Sequence, residues 1–149
     1  MYRRQRQMCI RDSLITEADT VVIDLGTATT FDVVSKNKEY LGGSIAPGIK
    51  ISLDALTLKT ASLKSVELDT PNKVIGKNTY EAIQSGLIMG HASMIDSMVE
   101  KIILEIDIEP KIILTGGLSK VVQPILNVNV EYIENLTLVG LEEIFKLNN

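Results

Sequence analysis

Residues 21–34, VVIDLGTATTFDVV, decide the fold of this chain. The apolar run at their start is continuous and β-branched, which is typical of a strand that is buried on both faces. Gly26 ends this run and residues 29–35 alternate more, so we predict a strand over residues 20–25 and its hairpin partner over residues 29–35. Asp24 lies inside the apolar run, where an unpaired carboxylate costs several kcal/mol and therefore needs a partner.

The segments after the hairpin extend it into a mixed α/β arrangement. The pattern predicts a third antiparallel strand, helices, a buried strand, a short helix broken near a proline, a strand and a closing helix. The third strand is predicted over residues 39–48, and the helical segments over residues 49–63 and 76–106. The buried strand follows over residues 111–117, and the short helix is broken near Pro124. The last strand is predicted over residues 130–133 and the closing helix over residues 136–147. Ligands in such sheets usually bind beyond the carboxyl ends of the strands.

The composition describes one globular domain. The chain has 149 residues, of which 45% are hydrophobic, so it is long enough for an ordinary core. Its formal net charge of −4 argues against nucleic acid as the main partner. Cys9 is the only cysteine, so an internal disulfide framework is excluded and the reducing cytoplasm is the expected compartment. No apolar run approaches the roughly 18–20 residues that span a bilayer.

The first residues differ from the rest of the chain. Residues 1–13 contain four arginines against one acid and have no apolar segment, which argues against a secretory signal. We interpret residues 1–19 as a non-native or disordered leader, with a basic tail that binds nucleic acid as the alternative. The folded lobe is then expected over residues 20–149.

Two glycine turns follow two of the predicted buried strands. Gly26 and Thr27 follow the first strand, and Gly116 and Gly117 follow the strand at 111–117. Glycine lets a ligand approach the backbone, whose amide groups bind phosphate well. Neither GxxxxGK[ST] nor GxGxxG occurs, so this is not a P-loop or a dinucleotide fingerprint. The two turns together favour a phosphate-binding site of another kind.

Several charged residues have a structural interpretation beside a functional one. Asp24 is neutralised either by a cation, since hard cations take oxygen ligands, or by local amides or a lysine, and both interpretations stay open. We interpret Asp32 as a structural hydrogen-bond acceptor and His91, the only histidine, as a packing residue. The helix acids are predicted to form a solvated face: Asp96, Glu100 and Glu105.

Gly86 and Gly90 lie four residues apart on one face of the predicted long helix. This spacing lets another backbone approach closely, and it favours helix packing over a ligand role. At the start of this helix, Asn78 and Thr79 are the N-cap candidates, with Glu81 in the first turn.

Taken together, six segments closely resemble the C-terminal half of type III pantothenate kinases. In order they are VVIDLGTATTFDVV, YLGGSIAPGIKISLDAL, TASL, IGKNTYEAIQSGLIMG, IILTGG and LTLVGLEEI. The resemblance covers residues from about 20 to 148, and its specificity comes from the joint order and spacing. It implies a lobe of the actin-like ATPase (ribonuclease H-like) fold with a mixed sheet. It also implies ATP-dependent phosphorylation of pantothenate to 4′-phosphopantothenate, the first step of coenzyme A biosynthesis.

The resemblance also implies roles for individual residues. Asp24 matches the family's aspartate that holds a monovalent cation, potassium or ammonium. Thr27, with Gly26 beside it, matches a residue that contacts the phosphates of ATP, which carries Mg²⁺. Gly116 and Gly117 match the glycine turn on the adenosine side.

On the substrate side, Thr79 matches a position that contacts pantothenate. The resemblance implies a homodimer with this site near the subunit interface. The family's first lobe carries a DxGNT-like loop and a GADR-like segment with the catalytic aspartate, and neither occurs here. We therefore assign no catalytic residue in this chain and expect it to be a fragment that is inactive alone. The alternative is a non-catalytic transcription accessory protein of the same fold.

Overall fold

One five-stranded mixed sheet organises residues 18–58, 66–134 and 136, which the computed structural model describes. The strands are β1 (Thr20–Leu25), β2 (Ala28–Val34), β3 (Tyr40–Pro47), β4 (Lys111–Thr115) and β5 (Glu131–Tyr132). Their order in the sheet is β3-β2-β1-β4-β5. The first three strands form the predicted antiparallel meander, whereas β4 pairs with β1 and β5 with β4 in parallel. The predicted mixed sheet is confirmed.

Three helices connect and cover these strands. They are α1 (Ile49–Thr57), α2 (Thr79–Ile106) and α3 (Ser119–Val122), and α3 passes directly into a 3-10 turn that contains Pro124. The long helical pattern therefore forms one helix, and α1 ends earlier than predicted. Among the described residues, no helix is both long and apolar enough to cross a membrane. The TASL segment and residues 1–17 lie outside the described residues, as does the predicted closing helix apart from Leu136.

The start of α2 is fixed by a reciprocal pair of side-chain caps. Asn78 is the N-cap, and its Oδ1 accepts a hydrogen bond from the Glu81 amide at 2.9 Å. Glu81 in turn accepts one from the Lys77 amide at 2.8 Å through Oε2. The first contact satisfies an amide group that a helix start leaves without a partner, and the second holds the residue before the cap. Of the two N-cap candidates Asn78 is therefore the right one, and Thr79 is the first helical residue.

The alternation of β1 explains why its run is continuously apolar. Val21, Ile23 and Leu25 point into the main core, which α2 covers from one side of the sheet. Val22 points to the opposite face and packs with Ile113 and others in a second, smaller cluster. Because both faces are covered, successive residues of this strand are buried, as the sequence predicted, and only Asp24 is half-buried.

Asp96 does not belong to a solvated helix face, so this prediction is wrong. Its side chain is only 8% exposed. Both carboxylate oxygens accept hydrogen bonds from the Asn127 amide, at 3.0 and 3.1 Å, and further bonds come from Asn127 Nδ2 at 2.7 Å and the Val128 amide at 3.1 Å. Asp96 thus ties the middle of α2 to the segment after α3. Glu100 and Glu105 are exposed as predicted.

Gly86 and Gly90 lie on the exposed face of α2. A Cβ atom added at either glycine meets nothing within 4 Å outside their own helix. The helix that their spacing predicts as a packing partner is therefore not among the described residues.

We expect Asp96→Ala to destabilise the protein by about 2–3 kcal/mol, because it leaves buried amide donors without an acceptor. Urea denaturation followed by circular dichroism measures the free energy of unfolding. Glu100→Ala on the same helix is the control, with an expected change within about 0.5 kcal/mol. Equal unfolding midpoints for the two variants would show that the Asp96 contacts contribute nothing.

Candidate functional site

The carboxyl ends of β1 and β4 meet at one edge of the sheet. Their parallel register pairs Asp24 with Thr115, so the glycine turns that follow the two strands lie side by side. A cavity of about 410 Å³ opens at this edge. Its lining combines both strand ends with residues from beyond them: Asp24, Thr115, Gly116, Gly117, Lys120, Tyr132 and Glu134. The structure thus brings together three of the predicted site residues, one acid and two glycines.

Gly116 allows the β4 turn to approach β1. Its φ of 103° lies in the left-handed region, which favours glycine. A Cβ atom at this position would lie 2.6 Å from the backbone carbon of Leu25 and 2.7 Å from Oδ1 of Asp24. Gly117 differs, because a Cβ atom there meets nothing within 4 Å. Gly116 therefore shapes the wall of the cavity, whereas Gly117 leaves its entrance open.

The turn between β1 and β2 forms the neighbouring wall. The Gly26 amide donates to the Ala28 carbonyl at 3.2 Å, which closes the turn. A Cβ atom at Gly26 would lie 3.4 Å from Oδ1 of Asp24, so the turn folds over this carboxylate. Gly26 and Thr27 are both exposed and do not line the cavity itself. Their position leaves the Gly26–Thr27 backbone and the threonine hydroxyl accessible at the edge of the sheet.

Asp24 is half-buried at the base of these two turns, the one residue of β1 that is not fully buried. Its Oδ1 lies close to the positions where side chains of Gly26 and Gly116 would otherwise be. The two glycines therefore bring their backbones close to this carboxylate oxygen. Oxygen donors of this kind suit a hard cation, so the residues present are compatible with a potassium or ammonium ion.

Sequence reasoning missed three residues of the cavity. Lys120, on α3, contacts Glu134 with Nζ 2.7 Å from Oε1, and it lies over the Tyr132 ring at 5.8 Å. The hydrogen bond and the charge of Glu134 raise the pKa of Lys120. The short α3 that follows the glycine turn holds this lysine at the cavity. In the sequence, the position of Lys120 three residues after Gly117 was the signal that could have indicated a role at this site. Its contact with Glu134 depends on the fold.

Asp32 lies inside the sheet and not at the cavity. It is 5% exposed, and its carboxylate accepts hydrogen bonds from Tyr40 Oη at 3.1 Å and Thr30 Oγ1 at 3.3 Å. Burial raises the pKa of Asp32, and the two hydroxyl donors lower it by less. This acid is therefore a hydrogen-bonded structural group, in agreement with its interpretation from the sequence.

Thr79 lies apart from the Asp24 cavity. It is exposed at the first position of α2 and does not line that cavity. A different cavity of about 480 Å³ lies at this end of the helix, lined by residues of the segment 69–77 and by Glu81 and Gln84 of α2. The structure thus separates the predicted site residues into a strand-edge group and a helix-start group.

The chain is similar to known proteins of one family. The family model for type III pantothenate kinase matches residues 7–101. The type III pantothenate kinase of Anaeromyxobacter sp. (strain K) is 45% identical over 128 residues, which cover 86% of this chain and 50% of that protein. The one from Syntrophus aciditrophicus is 46% identical over 132 residues, covering 88% and 52%. The chain therefore spans about half the length of the curated relatives it matches.

Solved structures support the fold. A conserved Campylobacter jejuni protein assigned to the Baf family of transcriptional activators matches with a TM-score of 0.62 and 26% identity, covering 91% of this chain and 61% of that one. Component A of the (R)-2-hydroxyglutaryl-CoA dehydratase of Acidaminococcus fermentans matches with a TM-score of 0.50 and 12% identity, covering 92% and 64%. The second likeness concerns the fold alone. The actin-like ATPase fold that the sequence resemblance implies is confirmed.

We expect Gly116→Ala to destabilise the protein by about 2 kcal/mol or more, since alanine is strained at positive φ and its Cβ atom collides with the Leu25 backbone. Gly117→Ala is the matched control, because its Cβ atom enters open space. Thermal unfolding of both variants measures the difference. A Gly116→Ala variant as stable as Gly117→Ala would disprove the close approach of β4 to β1.

Proposed function

Since the chain belongs to the type III pantothenate kinase family, we propose that it takes part in the ATP-dependent phosphorylation of pantothenate to 4′-phosphopantothenate, the first step of coenzyme A biosynthesis. One observation carries the proposal: Asp24, Gly116 and Gly117 line a single cavity at the paired ends of β1 and β4. Nucleotides in open α/β sheets bind at such an edge. A cytoplasmic location follows from the metabolic role and the single cysteine.

The two glycine turns hold the nucleotide in this proposal. Gly26 and Thr27 contact the phosphates of the Mg²⁺ complex of ATP, because both residues of this turn are exposed near Asp24. Gly116 and Gly117 face the adenosine, which reaches the backbone at Gly117, where a side chain would enter open space. Phosphoryl transfer depends mainly on positioning and charge stabilisation, which fixed backbone groups supply.

Asp24 holds a potassium or ammonium ion in this proposal. Its half-buried carboxylate, which lines the cavity, supports the role. The ion supplies positive charge beside the negative phosphates when it is bound. Asp24 itself anchors that charge at the end of β1, and this explains why a core strand ends in a carboxylate.

Thr79 contacts pantothenate at the start of α2. Its exposure at the first helical position and the cavity at this end of the helix support the role. The general base is expected in a first lobe, whose DxGNT-like and GADR-like segments do not occur in this sequence. We therefore propose that the 149-residue chain does not phosphorylate pantothenate by itself.

A non-catalytic accessory role in transcription is the second candidate. The likeness to the Campylobacter jejuni protein of the Baf family, at 26% identity, favours it. The formal net charge of −4 speaks against direct DNA binding, because the phosphate backbone attracts basic surfaces. Nucleotide binding by the chain separates the two candidates.

We expect potassium to strengthen ATP binding to the chain by about tenfold, or about 1.4 kcal/mol, because the ion adds charge beside the phosphates. Asp24→Ala should abolish this dependence. Isothermal titration with MgATP, in potassium and in a bulky organic cation, measures both effects. Asp54→Ala removes an exposed acid on α1 and is the control.

The outcomes of this titration are distinct. Binding that is independent of potassium and equal in both variants would remove the cation role from Asp24. Absence of ATP binding by the unmodified chain would favour the accessory candidate. A coupled assay on the same preparation should detect no turnover of ATP with pantothenate, and measurable turnover would disprove the proposed dependence on a first lobe.

We also propose that the protein is a homodimer that pairs through the exposed face of α2 at Gly86 and Gly90. We expect the double variant Gly86→Arg, Gly90→Arg to sediment as a monomer. Arginine favours the helix over glycine, so helix loss is not the cause. Asp54→Arg adds a charge on α1 as the control. A dimer that survives the double variant would exclude this face.

A further inference from the structure

His91 connects α2 to the end of β3. Its Nδ1 lies 2.9 Å from the Leu87 carbonyl oxygen, one turn earlier in the same helix. Its Nε2 lies 3.2 Å from the carbonyl oxygen of Pro47, the last residue of β3. The second contact joins positions 44 residues apart in the sequence. His91 is therefore a bridge between two elements and not only part of a packed helix face.

The residue after Pro47 touches the nucleotide-side turn. A Cβ atom added at Gly48 would collide with the carbonyl oxygen of Thr27 and would lie 2.7 Å from that of Gly26. Pro47 itself pairs with Ala28, the residue that follows the turn. The backbone at Pro47 and Gly48 therefore packs directly against the Gly26–Thr27 turn, with no side chain between the two segments.

The chemistry of the imidazole restricts what this bridge can be. Both ring nitrogens face carbonyl oxygens, which only accept hydrogen bonds. A neutral imidazole has one N–H group and donates to one of the two carbonyls. The tautomer with the proton on Nδ1 donates to Leu87, and the tautomer with the proton on Nε2 donates to Pro47. A merely space-filling side chain needs no donor at either position.

We propose that His91 is a positioning residue: by donating from Nε2 to the Pro47 carbonyl, it fixes the Pro47–Gly48 backbone against the Gly26–Thr27 turn and so sets the position of Thr27. The inference rests on the proposed function, in which Thr27 contacts the phosphates of ATP. Because His91 lies on the helix that begins at Thr79, it also links the two groups of proposed site residues through one rigid element.

A matched pair of substitutions separates this role from packing. In His91→Gln the side-chain amide nitrogen lies near the place of Nε2 and retains a donor for Pro47. In His91→Asn the amide nitrogen lies near the place of Nδ1 and reaches only the Leu87 carbonyl. Both variants are neutral, polar and smaller than histidine, and their side chains differ by one methylene group.

The experiment uses the whole chain and two measurements. Hydrogen exchange of the Gly26 amide, which donates to Ala28, reports the turn without any nucleotide. Titration with MgATP reports its use as a binding site. We expect His91→Asn to exchange this amide about five- to tenfold faster and to bind MgATP about five- to tenfold more weakly, the effect of one lost hydrogen bond. His91→Gln should stay within about twofold of the unmodified chain in both.

The two measurements test the positioning role of His91 and the proposed function separately. If the two variants exchange the Gly26 amide equally fast, His91 does not position the turn and the inference is overturned. If exchange differs between them but the unmodified chain binds no MgATP, the positioning contact stands and the proposed function fails. If exchange differs and both variants bind MgATP as tightly as the unmodified chain, His91 orders the turn without setting Thr27, and the inference is overturned.

Discussion

The parallel pairing of β1 with β4 brings the two glycine turns to one edge of the sheet. The register places Asp24 beside Thr115, and the turns leave the sheet in the same direction. This pairing tolerates no side chain at Gly116, since a Cβ atom there would overlap Leu25 and Asp24. The cavity, the half-buried carboxylate and the accessible turn at Gly26 all follow from this contact between two backbones.

Helix α2 supplies the second constraint. Its 28 residues begin at Thr79, reach the end of β3 through His91 and hold the segment after α3 through Asp96. Helix α2 thus contacts the end of β3, which packs against the Gly26–Thr27 turn, and also the segment after α3, which follows the turn at Gly116. A rigid helix of this length keeps those two segments at fixed distances from each other and from the proposed pantothenate position.

Much of this architecture could be predicted from local sequence, because strands and turns depend on neighbouring residues. The β-branched run, the alternation after Gly26 and the caps at Asn78 and Glu81 all act within a few residues. The burial of Asp96 could not be predicted in this way, because its partners lie 31 and 32 residues further along the chain. The same holds for Lys120, whose contact with Glu134 depends on how α3 and the segment after β5 meet. The family resemblance assigned roles to individual site residues, but the contacts of those residues depend on the fold and could not be predicted from it.

The two acids of the β1–β2 hairpin, Asp24 and Asp32, differ in their surroundings because of their positions in the strands. Asp24 and Asp32 point to the same face of the sheet, because Asp24 pairs with Thr30 and Asp32 with Val22 in one antiparallel register. Asp32 lies within the strand, where the hydroxyls of Tyr40 and Thr30 occupy its oxygens and burial raises its pKa. Such a group is a poor anchor for a cation, because its surroundings disfavour the charged form. Asp24 lies near the end of β1, where it lines the cavity. Placing one carboxylate at the strand end and the other inside the sheet therefore separates a candidate binding group from a structural one.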